Sequence, residues 1–143
     1  MGPMSQPARA TFDDSRWPLL RLLLPGTLSS QGHEECLVTL GGYVRRREKF
    51  LLLVDVSRVG LVPLDQRWRQ VEWFEEYEGL LRETLLGSAL VLTSPVVRLS
   101  ISAILYFKPL PLPLATFATV SEAEAWAVQR LQEEGLAQAG KER

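Results

Sequence analysis

Short apolar runs alternate with segments of helical periodicity along this chain of 143 residues. The run from Phe50 to Val56 is apolar except for Asp55, which is typical of a strand buried on both faces of a sheet. The segments between such runs carry apolar residues three and four positions apart, with charged residues on the opposite face. This alternation predicts an α/β domain with a single layer of mostly parallel sheet, right-handed crossovers and helices over its faces.

The predicted sheet has about four to five strands and the predicted helices number about four. Pro18 indicates that the first strand lies at a sheet edge or starts near one. The run from Phe50 is expected at the centre of the sheet. Helix N-caps are expected at Asp65, Ser94 and Ser121. The predicted strands cover residues 17–24, 50–56, 87–93 and 114–119, and the predicted helices cover about 29–47, 65–83, 95–107 and 121–131.

The size of the chain favours one domain with its own core. A chain of 143 residues, 46% of them hydrophobic, can bury enough surface to fold without metals or disulfides. We expect that domain at residues 11–134, after a disordered lead-in at residues 1–10 and before a frayed tail at residues 135–143.

The charge balance argues against a nucleic-acid partner. The 16 basic and 17 acidic side chains give a net charge of −1, whereas nucleic-acid proteins carry a surplus of Lys and Arg. A single cysteine, Cys36, excludes an internal disulfide and indicates a cytoplasmic location. No apolar run reaches the length of about 20 residues that a transmembrane helix needs, so no membrane span is expected.

The segment from Phe50 to Val59 resembles the central strand of STAS domains, the anti-sigma-factor-antagonist-like fold, in which an apolar strand ends in Asp, an apolar residue and Ser. Further segments are similar to bacterial STAS/SEC14-like proteins of unassigned role. They are Gly87 to Arg98, Ala103 to Leu105, Pro109 to Pro113, and the closing Phe117, Ala123 and Trp126. The resemblance covers residues 17–131 and implies a STAS-like fold and partner binding of a signalling kind.

One departure from the resemblance concerns phosphorylation. Regulatory STAS domains carry an Asp-Ser pair shortly after the central strand, and its Ser is phosphorylated. Here Asp65 is followed by Gln66, which cannot be phosphorylated. The resemblance therefore implies partner binding without that switch.

Polar residues after two of the predicted strands form a candidate ligand site. Open α/β sheets bind ligands at the carboxyl ends of their strands, where Asp55 stands. Thr93 and Ser94, with the start of the following helix and Arg98, have the chemistry to hold a carboxylate or phosphate. The alternative is that Ser94 only caps its helix and Asp55 only caps its loop. The candidate residues are Asp55, Ser57, Arg58, Arg67, Thr93, Ser94 and Arg98.

The sequence offers no set of residues for catalysis. His33 and Cys36 are one helical turn apart, but a zinc site needs three or four ligands and there is no second His or Cys. No acid, base and nucleophile converge in the pattern, and no phosphate loop or dinucleotide fingerprint occurs. We therefore predict a protein that is not an enzyme and has no metal or cofactor.

Two tryptophans on one predicted helix suggest an interaction surface. Trp68 and Trp73 lie on either side of its apolar stripe, so one of them is expected to be exposed near Tyr106 and Phe107. Exposed aromatic residues favour protein interfaces. Our first hypothesis is a regulatory or scaffolding domain that binds a protein partner or a second copy of itself as a homodimer. The alternative is a domain that binds a small molecule or lipid, apolar or anionic, with its pocket between the sheet and helix 95–107.

Overall fold

The computed structural model describes residues 9–110 and 112–136. Five strands and four helices lie in that part of the chain. The strands are β1 (Thr11–Arg16), β2 (Leu19–Leu23), β3 (Phe50–Asp55), β4 (Leu85–Val91) and β5 (Leu114–Phe117). The helices are α1 (Ser30–Val44), α2 (Leu64–Thr84), α3 (Pro95–Phe107) and α4 (Val120–Glu133).

The strands form one sheet in the order β1-β2-β3-β4-β5. Strands β2 to β5 run parallel, and β1 is antiparallel to β2. The predicted single-layer, mostly parallel α/β architecture is confirmed. Strand β3 is central, as predicted, and its residues Phe50 to Val54 are all buried because core clusters cover both faces of the sheet.

Strand β1 is the element that the sequence pattern did not predict. Its residues are mostly exposed, and Phe12 is its one residue packed against the core in the described chain. Strand β1 pairs with β2 and occupies the edge of the sheet. Of the two positions expected for the strand at residues 17–24, the edge itself is therefore wrong, and β2 lies next to the edge strand. Pro18 is compatible with this inner position because it precedes β2 and takes part in the pairing only through its carbonyl, which accepts a hydrogen bond from the Leu51 N–H at 2.9 Å.

The helix starts agree with the sequence in one case and differ in two. Ser94 caps α3 as predicted, since its hydroxyl accepts a backbone N–H three residues on at 3.4 Å. Thr119, rather than Ser121, caps α4, because the backbone is still extended at Thr119 and helical from residue 120. Helix α2 has no side-chain cap: Asp65 lies inside its first turn and accepts a hydrogen bond from Ser30 of α1 at 2.5 Å.

The two faces of the sheet are covered differently. Helix α4 packs alone on one face, where the fully buried Ala123 and Ala127 bring it close to the strands. The opposite face carries Leu20, Leu52 and Leu90, and the core there is built with α1, α2 and α3. The candidate site lies on this second face.

The predicted domain boundaries, residues 11 and 134, lie close to the limits of the described residues and stay a prediction. Residues 1–8 and 137–143, which hold most of the predicted lead-in and tail, lie outside the described residues. Leu136 packs on the α4 side of the core, and its N–H donates to the Leu131 carbonyl at 2.8 Å. Within the described ranges, no helix combines the length and apolar character needed to cross a membrane.

Candidate functional site

Helix α3 stands off the sheet and covers a cavity. Its main packing partner is α2, and of its 13 residues only Val97 and Ser100 are buried. Leu99 is 71% exposed on the outer side, whereas Ile101 and Ile104 face inward. The cavity between α3 and the sheet has a volume of about 220 Å³.

The walls of this cavity are almost entirely apolar. Leu52 and Leu90 belong to the sheet side, and Ile104 belongs to α3 on the opposite side. Among the described lining residues there is no Lys, Arg, Asp or Glu. Helices α1 and α2 supply further apolar walls, including Leu37, Leu40, Trp73, Phe74 and Leu81.

Most polar groups that line the cavity are already paired with the protein. The Gln66 side-chain amide donates to the Leu28 carbonyl at 2.7 Å. His33 Nε2 lies 3.1 Å from Gln70 Oε1. A site with so few polar groups and no Lys, Arg, Asp or Glu in its described lining is suited to an uncharged, mainly apolar molecule. The other polar lining residues are Thr27 and Ser88.

Cys36 lines the same cavity as a neutral thiol. Burial raises its pKa to about 11, because the thiolate would lose its hydration there. At neutral pH this side chain therefore adds apolar surface rather than a nucleophile. Across residues 9–110 and 112–136, no cluster of three or more His, Cys, Asp or Glu is placed to hold a metal ion.

The far end of α3 is tied to α2 by an ion pair. Lys108 Nζ lies 2.7 Å from Glu78 Oε1, and Arg82 Nη2 lies 2.9 Å from Glu78 Oε2. The hydrogen bond from Lys108, and then that from Arg82, lowers the pKa of the Glu78 carboxyl. The ion pair is therefore present at neutral pH. It is lost on acidification only at a pH below 4.5, the ordinary pKa of a glutamate, because that is where Glu78 becomes protonated.

Removing this charge should loosen the cover of the cavity. We expect Glu78→Gln to raise amide hydrogen exchange in α3 severalfold, because one of the few polar ties between α3 and α2 is weakened. Glu75→Gln, on the exposed side of the same helix, is the control. Equal exchange in the two variants, measured by mass spectrometry, would show that α3 does not depend on the pair.

Comparison with known proteins gives a match only at the level of structure. No family model matches this sequence, and no curated protein matches it. One similar solved structure is an uncharacterised protein of the DUF3478 family from Shewanella loihica, described as having a SpoIIAA-like fold. The identity is 14% and the TM-score 0.63, over 88% of this chain and 99% of that chain. This chain has a STAS-like fold.

A second solved structure supports the same conclusion. It is an anti-sigma factor antagonist from Mycobacterium paratuberculosis, with 18% identity and a TM-score of 0.57 over 82% of this chain and 92% of that chain. The STAS-like fold predicted from the resemblance is therefore confirmed. At these identities the likeness concerns the fold alone.

The residues predicted to bind an anion do not converge on the cavity of this STAS-like domain. Asp55 Oδ1 accepts the Ser57 N–H at 3.0 Å and the Ser57 hydroxyl at 2.6 Å, so this carboxylate closes its own turn. Thr93 and Arg98 are exposed, and Ser94 caps α3. An anion site at this edge stays a prediction. Among the described residues that line the cavity, none is Asp55, Ser57, Arg58, Arg67, Thr93, Ser94 or Arg98.

The other two predicted arginines lie on different elements of the fold. Arg58 is exposed in the loop after β3. Arg67 is partly buried in the first turns of α2, and its Nε has no hydrogen-bond partner among the described residues. No contact within the described chain joins either guanidinium to Asp55.

The aromatic residues predicted for an interface divide between surface and core. Trp68 is 45% exposed and packs on Phe107, with ring centroids 4.7 Å apart. Tyr106 is 80% exposed beside Phe107. Trp73 is only 2% exposed, stacks on Tyr77 and lines the cavity, so it is not available to a partner. We call Trp68, Tyr106 and Phe107 the aromatic surface.

The polar residues of the cavity were not indicated by the sequence pattern. Gln66 and Gln70 lie on the side of α2 that faces the cavity, although the sequence pattern placed only apolar residues there. Ser88 stands between Gly87 and Ala89 in a strand of otherwise large side chains. Of these three, Ser88 is the one that lines the cavity, and a small side chain in a buried strand leaves space beside it, which was the available signal.

Proposed function

We propose that this STAS-like domain binds a small, uncharged, mainly apolar molecule in the cavity between the sheet and α3. The observation that carries the proposal is an apolar cavity of about 220 Å³ covered by a helix that is itself poorly buried. The apolar walls of an unfilled space lack packing partners on one side, which costs stability. Filling it with a ligand removes that cost.

The volume limits the size of the ligand. It exceeds the roughly 150 Å³ of an engineered cavity that takes up benzene, and it is smaller than the roughly 300 Å³ at which pockets for drug-sized molecules begin. A single ring with a short substituent, or a short acyl chain, fits these limits. A charged group would lose its hydration without gaining a strong ionic partner, because no Lys, Arg, Asp or Glu is among the described lining residues.

Bromobenzene tests this proposal directly, since it is ring-sized, apolar and carries a heavy atom that quenches tryptophan. We expect it to quench Trp73, which lines the cavity. At about 100 times its Kd it should stabilise the fold by about 2.7 kcal/mol, seen as a higher unfolding midpoint. Trp73→Phe is the control and should remove the quenching but keep the stabilisation. Failure of both signals in the wild-type chain would refute the proposal.

A second function, binding of a protein partner or a second copy, is favoured by the aromatic surface. Tyr106 and Phe107 are 80% and 54% exposed. Contact of these aromatic rings with water is unfavourable in free energy, and a bound partner would remove it. Such aromatic side chains often dominate interface energies. We place this function second because no cavity of defined size and chemistry limits what its partner can be. A non-catalytic role and a cytoplasmic location stay predictions in either case.

A further inference from the structure

One hydroxyl in the wall of the cavity makes no hydrogen bond within the described residues. The buried polar residues of the described chain are Gln66, Thr84, Ser88 and Ser100. Thr84 donates to the Leu80 carbonyl at 2.8 Å, Ser100 donates to the Val96 carbonyl at 3.2 Å, and Gln66 is paired as described above. Two of these four residues, Gln66 and Ser88, line the cavity. The hydroxyl of Ser88 makes no hydrogen bond within the described residues.

The position of Ser88 accounts for this isolation. It lies on β4 between Leu52 of β3 and Leu114 of β5, its partners in the sheet register, and both of these also line the cavity. Its backbone N–H already donates to the Pro113 carbonyl at 2.9 Å. Ser88 as a residue is 5% exposed, and its side chain lies between these two apolar neighbours at the cavity wall.

An unpaired hydroxyl in apolar surroundings destabilises a protein, whereas alanine would fill the same place without that penalty. A ligand oxygen within reach would complete the missing bond. We infer that Ser88 orients the ligand, and that the ligand is an uncharged apolar molecule with one hydrogen-bonding oxygen, such as a ketone, ester or alcohol. The inference rests on the proposed function and adds the polar group that the ligand carries.

Two probes of nearly the same shape test this inference. Ethylbenzene is purely apolar, and acetophenone has a carbonyl in place of its methylene group, which can accept a hydrogen bond from the Ser88 hydroxyl. We expect Ser88→Ala to weaken acetophenone binding by about three- to tenfold, the range of one neutral hydrogen bond. Ethylbenzene should bind the variant at least as tightly as the wild-type chain. Calorimetric titration of both probes against both proteins gives the comparison.

Two further variants separate ligand recognition from structure. Ser88→Thr keeps the hydroxyl and should retain most of the acetophenone affinity. Ser100→Ala removes a hydroxyl that is already paired within α3 and should not change the ratio of the two Kd values. Without ligand, Ser88→Ala should unfold at the same temperature as the wild-type chain or higher.

The outcomes distinguish this inference from the proposed function. If Ser88→Ala weakens both probes equally, or neither, Ser88 does not recognise an oxygen and the inference is overturned while the cavity proposal stands. If neither probe binds the wild-type chain, the proposed function itself fails.

Discussion

Replacing Trp73 by glutamate is expected to unfold the domain. Trp73 is 2% exposed and stacks on Tyr77, with ring centroids 4.5 Å apart. Removing a buried tryptophan side chain costs about 3–5 kcal/mol, and glutamate adds an unpaired buried charge. The sum is comparable with the roughly 5–15 kcal/mol that stabilises a domain of this kind. Circular dichroism and urea unfolding should show loss of the cooperative transition, rather than the selective loss of partner binding that the sequence suggested.

The same replacement at Trp68 is the matched control. Trp68 is 45% exposed, so Trp68→Glu should keep the spectrum and a cooperative transition. If the aromatic surface is an interface, this variant should weaken self-association at least tenfold in sedimentation equilibrium, as expected for an interface hot spot. A wild-type chain that stays monomeric would exclude a homodimer. Unfolding of Trp68→Glu to the same extent as Trp73→Glu would contradict the assignment of the two faces of α2.

The architecture was predictable because its main signals are local. The apolar run from Phe50 to Val54 can be satisfied only by burial on both faces, which places helices on both sides of a central strand. Ser94 and Pro95 mark the start of α3 by the chemistry of their own turn. Strand β1 was not predictable in this way, because its polar residues are held by pairing with β2 and not by their own pattern.

The site was only partly predictable, because a cavity depends on distances between elements. The pattern of residues 95–107 predicted an apolar helix and, as the alternative hypothesis, a pocket beneath it. Trp68 and Trp73 are five residues apart and so differ by about 140° around a helix. Spacing alone shows that they point differently, but not which of them faces the sheet. Gln66 and Gln70 lie on the inner side of α2 with Trp73. Because these two residues are polar, the sequence pattern did not identify that side as the buried one.

Ile104→Trp is expected to abolish ligand binding, whereas Leu99→Trp on the same helix should leave it unchanged. Ile104 lines the cavity, and an indole there would occupy space that the ligand needs. Leu99 is 71% exposed, so the same new side chain would extend into solvent. Bromobenzene titration, followed by the unfolding midpoint of each variant, measures the difference.

The stability of Ile104→Trp provides a second and independent test. In a closely packed core, inserting a larger side chain costs about 1–3 kcal/mol. In a cavity of about 220 Å³ the indole fills unoccupied space instead, so the unfolding midpoint should stay the same or rise. Lost binding together with retained stability supports a ligand cavity. A clear loss of stability, in a protein whose wild type binds no probe, would show a packed core beneath α3 and leave the aromatic surface as the remaining candidate site.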